Sequence, residues 1–234
     1  MSGTTRPIRV LLVDDQLLVL ASFAMLVESA ADMEVVGQAT GGAQAVEMAR
    51  SSLPDVVVMD VRMPGLDGIG ATRLIAADES LHSVKVLVLT TYDTDEYVVD
   101  ALRAGASGFL VKDTRPADLL SAIRTVAAGD ALLSPGPTAR LIARVLNGPS
   151  LAPTTRIPTK GTEKLTERER QVLALVARGL NNTDAAAALG LSPLTTKTHV
   201  SRIMGKLGAR DRAQLVIIAY ESGLVVPGAA QARP

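Results

Sequence analysis

Five short apolar runs, each followed by a helical pattern, constrain this chain more than any other feature of its sequence. The runs are Ile8–Val13, Glu34–Ala39, Val56–Met59, Val84–Leu89 and Ser107–Val111. They are rich in Val and Leu and largely apolar at consecutive positions, as expected of strands buried on both faces. Helical spacing predicts helices over Leu17–Ser29, Gly42–Arg50, Gly68–Asp78, Asp95–Ala104 and Arg115–Ala128. Pro116 just inside the last helix, and Gly105 just past the end of its predecessor, suit helix-boundary chemistry. Five βα units predict an α/β doubly wound domain, an open five-stranded parallel sheet with helices on both faces. Functional groups then gather at the carboxyl ends of the strands.

The texture changes after residue 130. Pro135, Pro137, Pro149, Pro153 and Pro158, with Gly136, Gly148 and Gly161, mark a linker over 131–163. Thr138–Asn147 inside it has the spacing of a short amphipathic helix through Leu141, Ile142 and Val145. From 164 to 234 the pattern is helical only, an all-α four-helix arrangement. Thr166 and Glu169 form a capping-box signature ahead of the first helix. An Ala-rich helix over Thr183–Leu189 stops at Gly190, and Ser192-Pro193 opens a third helix that ends at Leu207 before Gly208. Its inward stripe is Val200, Ile203, Met204 and Leu207. The fourth helix, Arg212–Ser222, is apolar on more than one side, and the side not needed by its own domain suits a second copy of the chain.

The zero net charge conceals an asymmetry that bears on partners. Residues 1–130 hold 18 acidic and 10 basic side chains, net −8, whereas 131–234 hold 6 and 14, net +8. The basic part suits phosphate backbone, or equally the acidic part of its own chain. With no Cys, disulfides, iron–sulfur clusters and thiolate zinc sites are excluded, and the two histidines, His82 and His199, are far apart. Three Tyr, two Phe and no Trp argue against a stacking platform for single-stranded nucleic acid. No apolar run approaches the roughly 20 residues of a membrane span. No apolar signal core follows Met1–Arg9, so the chain is read as cytoplasmic.

Three carboxylates fall at strand ends: Asp14 and Asp15 after the first run and Asp60 after the third. Thr90 ends the fourth strand and Lys112 the fifth. In a parallel sheet all five project from one edge. Clustered carboxylates repel unless a cation neutralises them, and Mg²⁺, which takes oxygen ligands, is the natural choice. A carboxylate can attack a phosphoryl group, while a metal ion and a lysine neutralise the transferred charge.

The blocks VLLVDDQ, DVVVMDVRMPGLDG, VLVLTTYD and GASGFLVKD resemble those of receiver domains over residues 8–128. The resemblance implies a flavodoxin-like fold in which Asp60 accepts phosphate from a sensor histidine kinase. It implies that Asp15 and Asp60 bind Mg²⁺ directly, Asp14 mostly through water, and that the backbone carbonyl of Arg62 completes the protein ligands. Thr90 and Lys112 hold the phosphoryl group, and Phe109 occupies the aromatic switch position. Departures are Asp113 after the lysine, where proline is frequent, and Gly70, a weak helix former expected to loosen its helix start. Arg62 and Tyr92 occupy positions that tune water access in the family, and their size predicts a long-lived phosphorylated form.

On the third C-terminal helix, Thr195, Thr198, Ser201, Arg202 and Lys206 lie opposite the buried stripe, with Lys197 on the flank. Short polar chains beside long cations suit a major groove. The stretch from Leu165 to Val216 resembles the LuxR-type helix-turn-helix, and the whole chain is similar to NarL/FixJ-type regulators. That resemblance implies double-stranded DNA as partner. Lys197, Thr198 and Ser201 would face base edges, and Thr195, His199, Arg202 and Lys206 the phosphates. Asn181, Ala185 and Thr196 stand where the family often has Ser, Ile and Val, which predicts a somewhat soft domain. The implied mechanism is a population shift: phosphorylation frees the basic domain, and two copies bind paired half-sites. Two other chemistries use similar folds. A phosphohydrolase with Asp60 as nucleophile lacks the usual Asp-x-Asp around it, and a dinucleotide or P-loop site lacks its glycine pattern. A phosphate-independent receiver is the third alternative, against which the complete acidic set argues.

Overall fold

The computed structural model describes residues 6–90, 95–129 and 162–225. The chain divides into two compact units, Met1–Leu132 and Leu133–Pro234. The expected helix at Thr138–Asn147 lies outside the described residues, as does Tyr92. No helix among the described residues is long and apolar enough to cross a membrane.

The first unit alternates β1 (Ile8–Val13), α1 (Leu17–Glu28), β2 (Met33–Ala39), α2 (Gly42–Ser52), β3 (Val56–Asp60), α3 (Gly68–Ala77), β4 (Lys85–Thr90), α4 (Asp95–Ala104), β5 (Gly108–Val111) and α5 (Pro116–Ala127). Every strand pair is parallel, in the order β2-β1-β3-β4-β5. That is the flavodoxin-like arrangement. Alternate residues of the central strands, Val10, Leu12, Val56, Val58, Leu87 and Leu89, share a core with Leu20, Ala24 and Val27 of α1 and with Leu119, Ile123 and Val126 of α5. The intervening residues Leu11, Val57, Met59, Val86 and Val88 are equally buried. Burial on both faces explains why these strands read as continuous apolar runs. Element ends differ from the sequence expectation by one or two residues. Asp60 is the last residue of its strand rather than the first beyond, and Thr90 ends β4 as expected, because the ladder continues through Asp60↔Leu89 and Thr90↔Val111.

One glycine fixes how α3 meets the sheet. Gly68 donates its N–H to the Val61 carbonyl (2.9 Å), and a Cβ at this position would lie 1.8 Å from the Asp60 carbonyl oxygen. Gly68→Ala is therefore expected to push α3 away from Asp60 and cost about 1–3 kcal/mol, read by urea denaturation. Gly70, expected to loosen the same helix, lies in its first turn. Its N–H bonds the capping Asp67 side chain at 2.7 Å, and a Cβ there would meet Leu66 at 2.8 Å.

The second unit holds α6 (Glu167–Ala177), α7 (Asn182–Leu189), α8 (Pro193–Leu207) and α9 (Arg212–Glu221). The capping box of Thr166 and Glu169 is present in both directions. Gly190 and Gly208 end α7 and α8 with φ of 64° and 65°, conformations glycine adopts without strain. Asn181 performs the cap that Ser often supplies, accepting from the Asp184 N–H at 2.8 Å. Leu173, Val176, Ala185, Ala186, Val200 and Ile203 form the interior, with Leu215 and Val216 of α9. Thr196 is fully buried and its hydroxyl donates to the Ser192 carbonyl at 3.2 Å, so a polar residue is satisfied where an aliphatic one is frequent.

Candidate functional site

The carboxyl edge of the sheet brings Asp14, Asp15 and Asp60 together. Each offers a carboxylate oxygen, and these oxygens lie within 4.8 Å of one another. Asp14 and Asp60 are buried, whereas Asp15 is exposed. Lys112 crosses from beyond β5 and bridges the buried pair, its Nζ 2.5 Å from Asp14 Oδ2 and 3.1 Å from Asp60 Oδ1. The Gln16 N–H occupies the other Asp14 oxygen at 3.0 Å. Both oxygens of Asp14 are thus engaged by protein donors, and Asp15 is the carboxylate open to solvent.

Burial pushes the Asp60 carboxyl above the usual carboxylate range, and the Lys112 ammonium only partly offsets this. For Lys112 itself, burial acts downward, but the hydrogen bonds it donates to Asp14 and Asp60 outweigh it and raise the net value. The site is an acidic cluster held by one internal cation.

Thr90 is buried at the end of β4, and its carbonyl accepts the Lys112 N–H at 2.7 Å, which ties two site residues to each other. Phe109 is half-buried on β5. The Arg62 side chain is exposed and leaves the cluster: its Nη2 donates to the Tyr97 hydroxyl at 3.0 Å, and the guanidinium carbon lies 5.4 Å from the ring centre. Sequence reasoning missed this link between the β3–α3 loop and α4, because nothing in the spacing of residues 62 and 97 announces it.

In the second unit, α8 exposes Thr195, Lys197, Thr198, Ser201 and Arg202. Two residues assigned from sequence to DNA phosphates are placed differently. Lys206 lies toward the flank of the helix, and its Nζ donates to Glu169 Oε2 on α6 at 2.6 Å. His199 is half-buried, and its Nδ1 is enclosed without a hydrogen-bond partner. A residue absent from the sequence assignment, Leu194, is 75% exposed on the same helix. A helical wheel would have found it, because it falls opposite Val200 and Ile203.

Glu169 unites the capping box with Lys206. The Lys206 ammonium, then the Thr166 N–H, hold its carboxyl down to about 2. A depressed acid contributes stability above its ordinary value near 4.3 and loses it as pH falls toward the folded value. Glu169→Gln is expected to cost about 1 kcal/mol at pH 7, with the difference from the parent shrinking between about pH 4 and 2 in denaturation curves.

Comparison with known proteins joins the two halves. Residues 10–124 match the family described as "Response regulator receiver domain", and 163–219 match "Bacterial regulatory proteins, luxR family". An uncharacterized transcriptional regulatory protein of Bacillus subtilis (strain 168), YxjL, is 40% identical over 93% of this chain and 97% of its own. The chain belongs to the NarL/LuxR family of response regulators. The regulator is also 35% identical to response regulator protein VraR of Staphylococcus aureus (strain NCTC 8325 / PS 47), over 93% of this chain and 99% of that one. Among solved structures, response regulator ChrA of a heme-sensing two-component system covers 94% of the regulator and 100% of its own chain, at 33% identity and a TM-score of 0.50. A receiver joined to a LuxR-type helix-turn-helix makes this protein a phosphorylation-regulated, DNA-binding transcriptional regulator. Its family consists of transcription regulators rather than enzymes.

Proposed function

We propose that Asp60 is the phosphoacceptor and that residues 1–130 act as receiver, 131–163 as linker and 164–234 as the DNA-binding domain. The observation that carries this reading is the Lys112 bridge between two buried carboxylates beside an exposed third. An Asp60 oxygen attacks phosphorus, forming an O–P bond as the bond to the leaving nitrogen of a phosphohistidine breaks and that nitrogen keeps the electron pair. The kinase supplies the phosphoryl group, and the receiver's own residues promote its transfer and later hydrolysis.

The all-oxygen donor set fits Mg²⁺, which would be held by Asp15, Asp60 and the Arg62 carbonyl, with Asp14 acting through water. When bound, the ion neutralises charge on the phosphoryl oxygens. The engagement of both Asp14 oxygens by Gln16 and Lys112 supports the indirect role for Asp14. Lys112 turns from the carboxylates toward the incoming phosphoryl oxygens. Thr90 donates its hydroxyl to one of them, and Phe109 follows Thr90 inward.

Phosphorylation then shifts the population toward a two-copy form that binds double-stranded DNA in the cytoplasm. Lys197, Thr198 and Ser201 meet base edges, and Thr195 and Arg202 meet phosphates. For Lys206 and His199 the phosphate role requires release from Glu169 and from the interior. The test is DNA binding by the full chain with and without acetyl phosphate and MgCl₂, scanned over salt. Phosphodonor should tighten binding, and affinity should fall steeply as salt rises. Identical affinity under both conditions would refute the reading.

A further inference from the structure

The exposed face of α8 carries one apolar side chain, at its N-terminal end. Leu194 is 75% exposed, beside Lys197, Thr198, Ser201 and Arg202, which are exposed as well. At 100° per residue, Leu194, Thr198, Ser201 and Gly205 fall within one narrow stripe opposite the buried Thr196, Val200 and Ile203. Leu194 therefore has no packing role in its own domain. Nor does it cap the helix, because Ser192 does so by accepting from the Thr195 N–H at 3.1 Å.

The surroundings narrow what can cover it. Flanking cations select a polyanion, and the N-terminal residues of a recognition helix are those that reach base edges. In the major groove the only apolar feature is the thymine 5-methyl group. Thr198 Oγ1 already donates to the Leu194 carbonyl at 3.0 Å. Its proton is spent inside the helix, so the hydroxyl meets DNA as an acceptor, which suits the N6 amino group of adenine or the N4 amino group of cytosine. Thr198 therefore does not itself choose between the two, and the apolar Leu194 is the side chain that singles out thymine. At the other end of the stripe Gly205 has open space where a Cβ would lie, so nothing there props the helix away from the groove.

We propose that Leu194 is a specificity-determining residue that contacts a thymine methyl group in the major groove. This rests on the reading of α8 as the DNA-contacting helix and deepens it. The full-length protein, treated with acetyl phosphate and MgCl₂, is used to select duplexes from a random pool. Each thymine of a selected duplex is then replaced in turn by deoxyuridine, which removes only the methyl. The parent protein should lose about fourfold in affinity at a defined thymine, the loss expected for one buried methyl. Leu194→Ala should bind thymine and deoxyuridine duplexes alike at that position, while unfolding at the parent's midpoint. If no position separates the parent from Leu194→Ala, the proposal is overturned. Arg202→Ala, which removes an exposed cation assigned to phosphate, keeps the two failures apart. It should weaken binding to every duplex yet retain the methyl preference. An Arg202→Ala protein that binds as tightly as the parent, or a pool that yields no enriched duplex, would overturn the face itself and the proposal with it.

Discussion

Asp60→Ala is expected to take up no label from acetyl phosphate in the presence of MgCl₂, and to bind DNA identically with and without the phosphodonor. Loss of the nucleophile is total, because no neighbouring group replaces it: Asp14 has both oxygens engaged, and Asp15 lies out in solvent. The fold should survive, for a reason visible in the electrostatics. Burial raises the Asp60 carboxyl above its ordinary range despite Lys112. An acid raised in the folded state destabilises that state as pH rises. The unfolded chain ionises first, and the full penalty is present once pH exceeds the folded value. Removing the carboxyl relieves that penalty at neutral pH, and Lys112 keeps Asp14 as a partner at 2.5 Å. In EDTA at pH 7 the thermal midpoint of Asp60→Ala should be no lower than that of the parent. Persistent labelling of the variant would place the acceptor elsewhere.

The sheet was legible in the sequence because its central strands are buried on both faces, so Val and Leu fill consecutive positions and mark each strand as a block. The acidic edge was legible for a related reason. A polar residue ending such a block must emerge at the sheet rim, which places Asp14, Asp60, Thr90 and Lys112 without any coordinates. What distances add is pairing. The sequence aligns Lys112 with the carboxylates but does not reveal that it bridges two of them. It marks Gly68 as a helix start but not as the point where α3 touches the Asp60 carbonyl. On α8 the period of 3.6 identified the inward stripe, yet long side chains escape such reasoning. Lys206 has a stem able to reach α6, and there it finds Glu169. Leu194 escapes a reading that counts apolar residues toward a core, although the same period of 3.6 places it opposite Val200 and Ile203 and its exposure agrees.

Lys112→Met separates the internal cation from everything else at the site. Methionine matches the stem of lysine but brings no charge, so Asp14 and Asp60, 1% and 5% exposed, would face each other uncompensated. Breaking a buried ion pair by removing one partner costs about 3–5 kcal/mol, mostly from the charge left behind. In EDTA at pH 7 a loss of that size should appear in urea denaturation, in contrast to the neutral outcome for Asp60→Ala. The pH dependence follows from the same groups. Without Lys112, the principal influence lowering the Asp60 carboxyl is gone, while burial and the charge of Asp14 continue to raise it. The deficit of the variant relative to the parent should therefore be smallest in acid and widen as pH rises through and above the ordinary carboxylate range near 4. MgCl₂ should stabilise Lys112→Met more than the parent, because a divalent cation supplies the neutralisation that the ammonium otherwise provides. It should not restore phosphoryl labelling to the parental rate, since the metal then stands in for Lys112 in holding the carboxylates together but not in meeting the transferred group. A variant that unfolds at the parent's midpoint in EDTA would mean that the 2.5 and 3.1 Å contacts of Lys112 contribute nothing to holding the acidic edge together.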